Sequence, residues 1–174
     1  MKYRKRTNRR SFIRNLGIVG AGGFLAPGMM SFASHPGLSI STKNKKPGVA
    51  LVGLGRYSTG QLAPALQETQ YCRLSGIVTG TPSKEDEWMK KYDIPKENVY
   101  NYDNFDSIAD NDDIDIIYVV LPNSMHAEYS IRAAKAGKHV ICEKPMATSV
   151  KDAEDMIRAC NDNNVKLSYG RMAG

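Results

Sequence analysis

The chain has 174 residues, enough for one domain of ordinary size and too few for two large ones. Its formal charge of +6 is concentrated at one end: Lys2, Arg4, Lys5, Arg6, Arg9, Arg10 and Arg14 precede any acid, and the remaining 17 Lys plus Arg face 18 Asp plus Glu, a balance of −1. A body so nearly neutral excludes a nucleic-acid-binding face on charge grounds, so no nucleic-acid partner is expected.

The basic head runs into Asn8-Arg9-Arg10-Ser11-Phe12-Ile13, then a weakly apolar stretch over 16–25 that four glycines dilute, then Ser31-Phe32-Ala33. Paired arginines followed by a short apolar core and small residues resemble a twin-arginine export signal, with cleavage after Ala33. The apolar stretch is shorter than the about 20 residues that span a bilayer. Residues 1–33 are therefore expected to engage the twin-arginine export machinery, and the destination is the periplasm. Residues 34–47, rich in Ser, Lys, Asn, Pro and Gly, have little to bury and predict a flexible linker or surface arm. Cys72, Cys142 and Cys160 match no metal-ligand spacing, so no metal is expected; they suit small buried hydrophobes on strands and a helix.

From residue 48 to 174 the pattern is strand-helix alternation. "VALVGLG" is a short apolar run ending in glycines, which suits a strand buried on both faces. Leu62, Ala65 and Leu66 then recur at helical spacing. A second strand is expected over 74–79, and a helix over 85–92 opened by Pro82. A brief strand at 99–100, a short helix over 105–109 and the strand "IDIIYVVLP" over 114–122 follow. The helix over 127–136 stops at Gly137. A strand over 139–142, a helix over 151–161 and a strand over 165–169 complete the series. Six strands alternating with helices specify an α/β fold, a doubly wound parallel sheet of the Rossmann dinucleotide-binding type with its ligand outside the carboxyl ends of the strands.

The chemistry-bearing residues fall at those ends. In Gly53-Leu54-Gly55-Arg56-Tyr57-Ser58 the first glycine permits a tight turn and the second lets the backbone approach a pyrophosphate. The helix N-terminus adds amide donors, and Ser58 stands where a third glycine is usual. The second strand ends in "VTGTPSK", without the carboxylate that would hold an adenosine ribose 2′-hydroxyl. Thr79, Thr81 and Ser83 offer hydroxyls there and Lys84 a positive charge, which predicts NADP in preference to NAD. Leu121, Pro122, Asn123 and His126 follow the fourth strand: Pro122 ends it, Asn123 or Ser124 caps the next helix, and His126 in the first turn faces the crevice. The fifth strand exits through "ICEKPMATS", which places Glu143, Lys144 and Pro145 at the carboxyl edge. A lysine partly withdrawn from water there is a candidate for binding a substrate oxygen and moving its proton.

"VGLG", "LPNSMHAEYSIRAAKAGKHVICEKPMATS" and the export signal together resemble the Gfo/Idh/MocA family of oxidoreductases, over residues 49 to about 170, with 121–149 the most specific part. The resemblance implies a dinucleotide domain followed by a larger α/β domain that completes the sugar site and mediates homo-oligomer formation. It implies hydride transfer between nicotinamide and a sugar or cyclitol carbon. By matching position, it puts Gly53 and Gly55 at the pyrophosphate, Thr79 and Lys84 at the 2′-phosphate, and Pro122, Asn123 and His126 beside the nicotinamide half. Glu143 falls at the nicotinamide ribose, Lys144 acts on the substrate hydroxyl as the catalytic residue, and a cis bond precedes Pro145. The chain then reads "YGRMAG" where the family continues into its second domain. The sequence is thus expected to be a fragment whose cofactor half alone is inactive. The alternatives are a truncated, non-catalytic nucleotide-binding module and a nicotinamide-dependent glycosidase of the same superfamily.

Overall fold

The computed structural model describes residues 45–170. The expected export signal and most of the expected arm lie outside the described residues. The arm's last three residues are exposed but anchored: Lys45 pairs with Asp113, Lys46 Nζ donates to Thr69 O at 3.4 Å, and Pro47 O accepts from Arg73 N at 3.0 Å.

Six parallel strands follow, β1 (Gly48–Val52), β2 (Arg73–Val78), β3 (Val99–Tyr100), β4 (Ile116–Val119), β5 (His139–Cys142) and β6 (Leu167–Tyr169), in the order β3-β2-β1-β4-β5-β6. Every residue of β1 is buried, because a central strand of a doubly covered sheet has no wet face. Strand order runs outward from β1 in both directions, and the reversal between β1 and β4 creates the crevice where such sheets take ligands. The expected strand over 114–122 is longer than the observed β4: Ile114 is core, but pairing stops at Val119, three residues before Pro122.

Four α-helices, α1 (Ala63–Glu68), α2 (Pro82–Tyr92), α3 (His126–Lys135) and α4 (Val150–Asp162), cross the sheet. Period-2 alternation along the strands sorts side chains into two cores. On one face Val52, Val78, Ile117, Val119, Val140 and Cys142 pack with Phe105, Ile108, Tyr129 and Met156; on the other Leu51, Leu74 and Ile77 pack with Ala63, Trp88 and Ile94. Tyr129 meets the Phe105 ring edge-on at 5.1 Å, and the Arg132 guanidinium, held by Asp106 at 2.9 Å, lies 4.9 Å from both ring centres. Helix α3 ends as the sequence indicates, at Gly137 with φ +72°. Helix α4 starts on Ser149, whose hydroxyl accepts from Asp152 N at 3.1 Å.

Three local expectations need correction. The first helix is not regular: a π-helical turn, Ser58–Leu62, precedes α1 and closes with Ala63 N donating to Ser58 O. Pro64 explains it, since an α-turn would need a Pro64 N–H for Gly60 O and would press the pyrrolidine ring on that carbonyl. The buried residue of α1 is Ala63, while Ala65 is exposed. The turn after Pro122 is a 3₁₀ turn, Asn123–Met125, without a side-chain cap on α3, so neither Asn123 nor Ser124 caps it. Cys142 and Cys160 are buried as expected, but Cys72 is half-buried in the loop before β2; all three are free thiols.

Candidate functional site

The glycine loop leaves β1 and turns at once. Gly53 adopts φ +93°, and a Cβ there would stand 2.6 Å from Val120 O, so both conformation and space demand glycine. Its N–H donates to Val78 O at 3.0 Å, which ties the loop to β2. Ser58 is fully buried, and its hydroxyl donates to Gly53 O at 2.6 Å, closing the turn from the helix side. Gly55 differs: apart from its chain neighbours, no atom of the described residues lies within 4 Å of where its Cβ would be. The chain's own packing therefore does not require glycine at 55, whereas a backbone that must admit a bulky anion does. Arg56 and Tyr57 follow, both exposed, on the first helical turn.

The end of β2 is folded back onto this loop. Lys84, near the start of α2, donates from Nζ to Leu54 O at 2.6 Å. Lys84, Arg56, Leu54, Gly55, Glu87 and Trp88 line one cavity of ≈ 450 Å³ beside the loop. An ammonium has three donors, so the bond to Leu54 leaves two for a ligand. Thr79 is turned inward: it is buried, and its hydroxyl accepts from Thr81 N at 3.1 Å. The Thr81 and Ser83 side chains are exposed beside it. The residues at this end fit the phosphate-rich half of a dinucleotide through Arg56, Lys84, Thr81 and the loop amides. Thr79 shapes the turn instead.

On the other side of the switch point, Glu143 N donates to Val119 O at 3.0 Å, and a cis bond joins Lys144 to Pro145. Glu143 is half-buried; its Oε1 accepts from the Tyr118 hydroxyl at 2.5 Å and its Oε2 from Lys144 N at 3.3 Å. Burial, the Glu143 carboxylate and the neighbouring Tyr57 together push the Tyr118 phenol well above its ordinary range, so Tyr118 stays a donor to Glu143. Lys144 itself is exposed, and among the described residues its ammonium has no hydrogen-bond or ion-pair partner. The expectation of a lysine partly withdrawn from water is therefore corrected: the described residues build one wall around Lys144, and solvent reaches the other side.

His126 is also displaced from its expected place. It is 1 % exposed instead of facing the crevice. Its Nδ1 lies 2.7 Å from Pro145 O and its Nε2 2.8 Å from Leu121 O, and a ring nitrogen that carries a proton donates to the carbonyl it faces. Leu121 is buried above it, and Pro122 and Asn123 are exposed at the crevice rim.

The family model for the oxidoreductase family with an NAD-binding Rossmann fold matches residues 48–171. The chain belongs to the Gfo/Idh/MocA family. Among solved structures of that family it is similar to the aldose-aldose oxidoreductase of Caulobacter crescentus, crystallised with glycerol. The two are 48% identical with a TM-score of 0.71, over 72% of this chain and 38% of that one. Among characterised relatives it is 30% identical to the D-xylose 1-dehydrogenase [NADP(+)] of Haloarcula marismortui over 118 residues, 68% of this chain and 32% of the relative. It is 29% identical to the 2,7-anhydro-N-acetylneuraminate hydratase of Mediterraneibacter gnavus over 128 residues, 74% of this chain and 32% of the relative. The chain thus spans about a third of the length of these relatives.

Within this Gfo/Idh/MocA domain the structure brings the predicted residues to one edge of the sheet, in two groups on either side of the β1–β4 reversal. Gly53, Gly55, Arg56, Tyr57, Ser58, Thr81 and Lys84 form the first; Leu121, Pro122, Asn123, Glu143 and Lys144 form the second. Tyr118 was not legible as a site residue. In an apolar strand it looks like core, and only pairing of β4 with β5, which sets Tyr118 beside Ile141, shows that its hydroxyl points toward Glu143.

Proposed function

We propose that this chain is the nucleotide-binding half of an NADP-dependent oxidoreductase acting on a sugar. The observation that carries the reading is Lys84 drawn against Leu54 beside Arg56, at a β2 end without a carboxylate. Two cations and free hydroxyls favour a ribose 2′-phosphate, while the missing acid removes the usual partner of a 2′-hydroxyl. The NADP named for the Haloarcula xylose dehydrogenase supports the same choice.

When bound, the nicotinamide supplies the hydride donor and acceptor. The chain's own residues do the rest. The loop at Gly53 and Gly55 would admit the pyrophosphate, and Glu143, fixed by Tyr118, would accept from the nicotinamide ribose. Lys144, exposed beside it, would donate from its ammonium to the substrate oxygen and stabilise negative charge on it. Hydride transfer needs the carbon held close to the nicotinamide, so the proposed reading calls for a second domain of the kind the family resemblance implies, which would complete the site and support a homo-oligomer. A resemblance to periplasmic glucose-fructose oxidoreductases and the similarity to an aldose-aldose oxidoreductase support an aldose as the substrate class proposed. Turnover of an aldose by the full-length protein tests that half of the reading.

The similarity to a hydratase supports a second reading, in which the same cofactor half serves a reaction with no net oxidation. The two separate by product: an oxidoreductase turns the aldose into a lactone two electrons more oxidised, and a hydratase gives a product that differs from its substrate only by water. We further propose export to the periplasm by the twin-arginine route through Arg9 and Arg10. Replacing both with lysine should leave the precursor in the cytoplasm on cell fractionation, and unimpaired export of that variant contradicts the proposal.

A further inference from the structure

We infer that His126 is a positioning residue: it fixes the separation of the two strand-end loops that border the nicotinamide half of the crevice. The inference deepens the nucleotide-binding reading and rests on it. Three observations carry it. His126 begins α3 yet is 1 % exposed, so its ring is inserted beneath the crevice floor. Its two nitrogens meet carbonyls from different connections, Leu121 O between β4 and α3 at 2.8 Å and Pro145 O between β5 and α4 at 2.7 Å. Each carbonyl is one residue from an exposed rim residue, Pro122 in one loop and Lys144 in the other.

The Leu121 carbonyl is buried and costly to leave without a donor, and the Pro145 carbonyl is part-buried against the same ring, so both loops are seated where the ring can reach them. The imidazole is rigid and its two nitrogens sit on opposite sides of the ring. The distance from Pro122 to Lys144 is thereby set by a side chain that touches neither cofactor nor substrate. Beyond the rim the second loop is also held by Met146 and Ala147, which pack against the core, and by the Cys142 thiol 3.7 Å from Met146 O; at the rim itself Lys144 and Pro145 are exposed, and the Lys144 amide makes one long bond to Glu143.

Isosteric replacements separate the two ties. An asparagine amide stands near the position of Nδ1 and a glutamine amide near Nε2, so His126→Asn keeps the tie to Pro145 and His126→Gln the tie to Leu121. His126→Phe keeps the ring volume and loses both. The test measures the affinity of the chain and its variants for NADP and for 2′,5′-ADP, which contains the 2′-phosphate half alone, and measures amide hydrogen exchange without ligand. For His126→Phe we expect NADP affinity to fall about tenfold, as loss of one to two buried hydrogen bonds implies, with 2′,5′-ADP affinity within about twofold of the parent. Exchange should accelerate over 143–148, His126→Asn should restore its protection, and His126→Gln should not. Equal weakening of both ligands, or faster exchange confined to α3, overturns the inference. Should the parent chain bind neither ligand, the nucleotide-binding reading fails, and the exchange pattern alone decides the role of His126.

Discussion

Lys84 combines two tasks in one ammonium. Its bond to Leu54 O holds α2 against the glycine loop, and its remaining donors face the cavity shared with Arg56. Lys84→Ala should therefore weaken NADP about ten- to a hundredfold, the range for a lost charge-assisted hydrogen bond, and leave NAD within about threefold. Equal loss for both nucleotides, measured by titration, would mean that Lys84 only supports the loop. The sequence exposed this residue because a missing carboxylate is visible at a known distance from a glycine loop. It misplaced His126 and Lys144 for a physical reason. A histidine in a first helical turn is ordinarily wet, and its burial depends on the β5–α4 loop, which arrives nineteen residues later to cover it. The exposure of Lys144 depends likewise on what stands opposite, which no local pattern encodes.

Individual elements were legible to the extent that their periodicity was strong. The continuous apolar run of β1 and the Gly137 stop of α3 follow directly from residue type. The π-helical turn after the glycine loop was not read, although Pro64 announces a disturbance one turn upstream, because the spacing of Leu62 and Leu66 looks helical either way. The 3₁₀ turn Phe105–Asp110 carries more than its length suggests: Phe105 is fully buried and packs edge-on against Tyr129 under the Arg132 guanidinium. Phe105→Ala should cost roughly 3–5 kcal/mol in urea unfolding, the range for an emptied aromatic core site. A cost below about 1 kcal/mol would show that the site collapses and that this turn does not anchor α3.

At the largest scale the described residues form a sheet with its candidate site at one edge. Its order places the glycine loop next to the β4 and β5 exits, so residues more than ninety positions apart, Gly53 and Lys144, border the same crevice. Fold class was readable because strand-helix alternation with right-handed crossovers leaves few topologies. Substrate identity was not, since the described residues supply one wall of the site. The central claim is the cofactor preference of that wall, and calorimetric titration of the purified chain with NADP and with NAD measures it directly. The account predicts NADP tighter by about tenfold or more, the worth of one charge-assisted contact to the 2′-phosphate. Equal or tighter binding of NAD would contradict it.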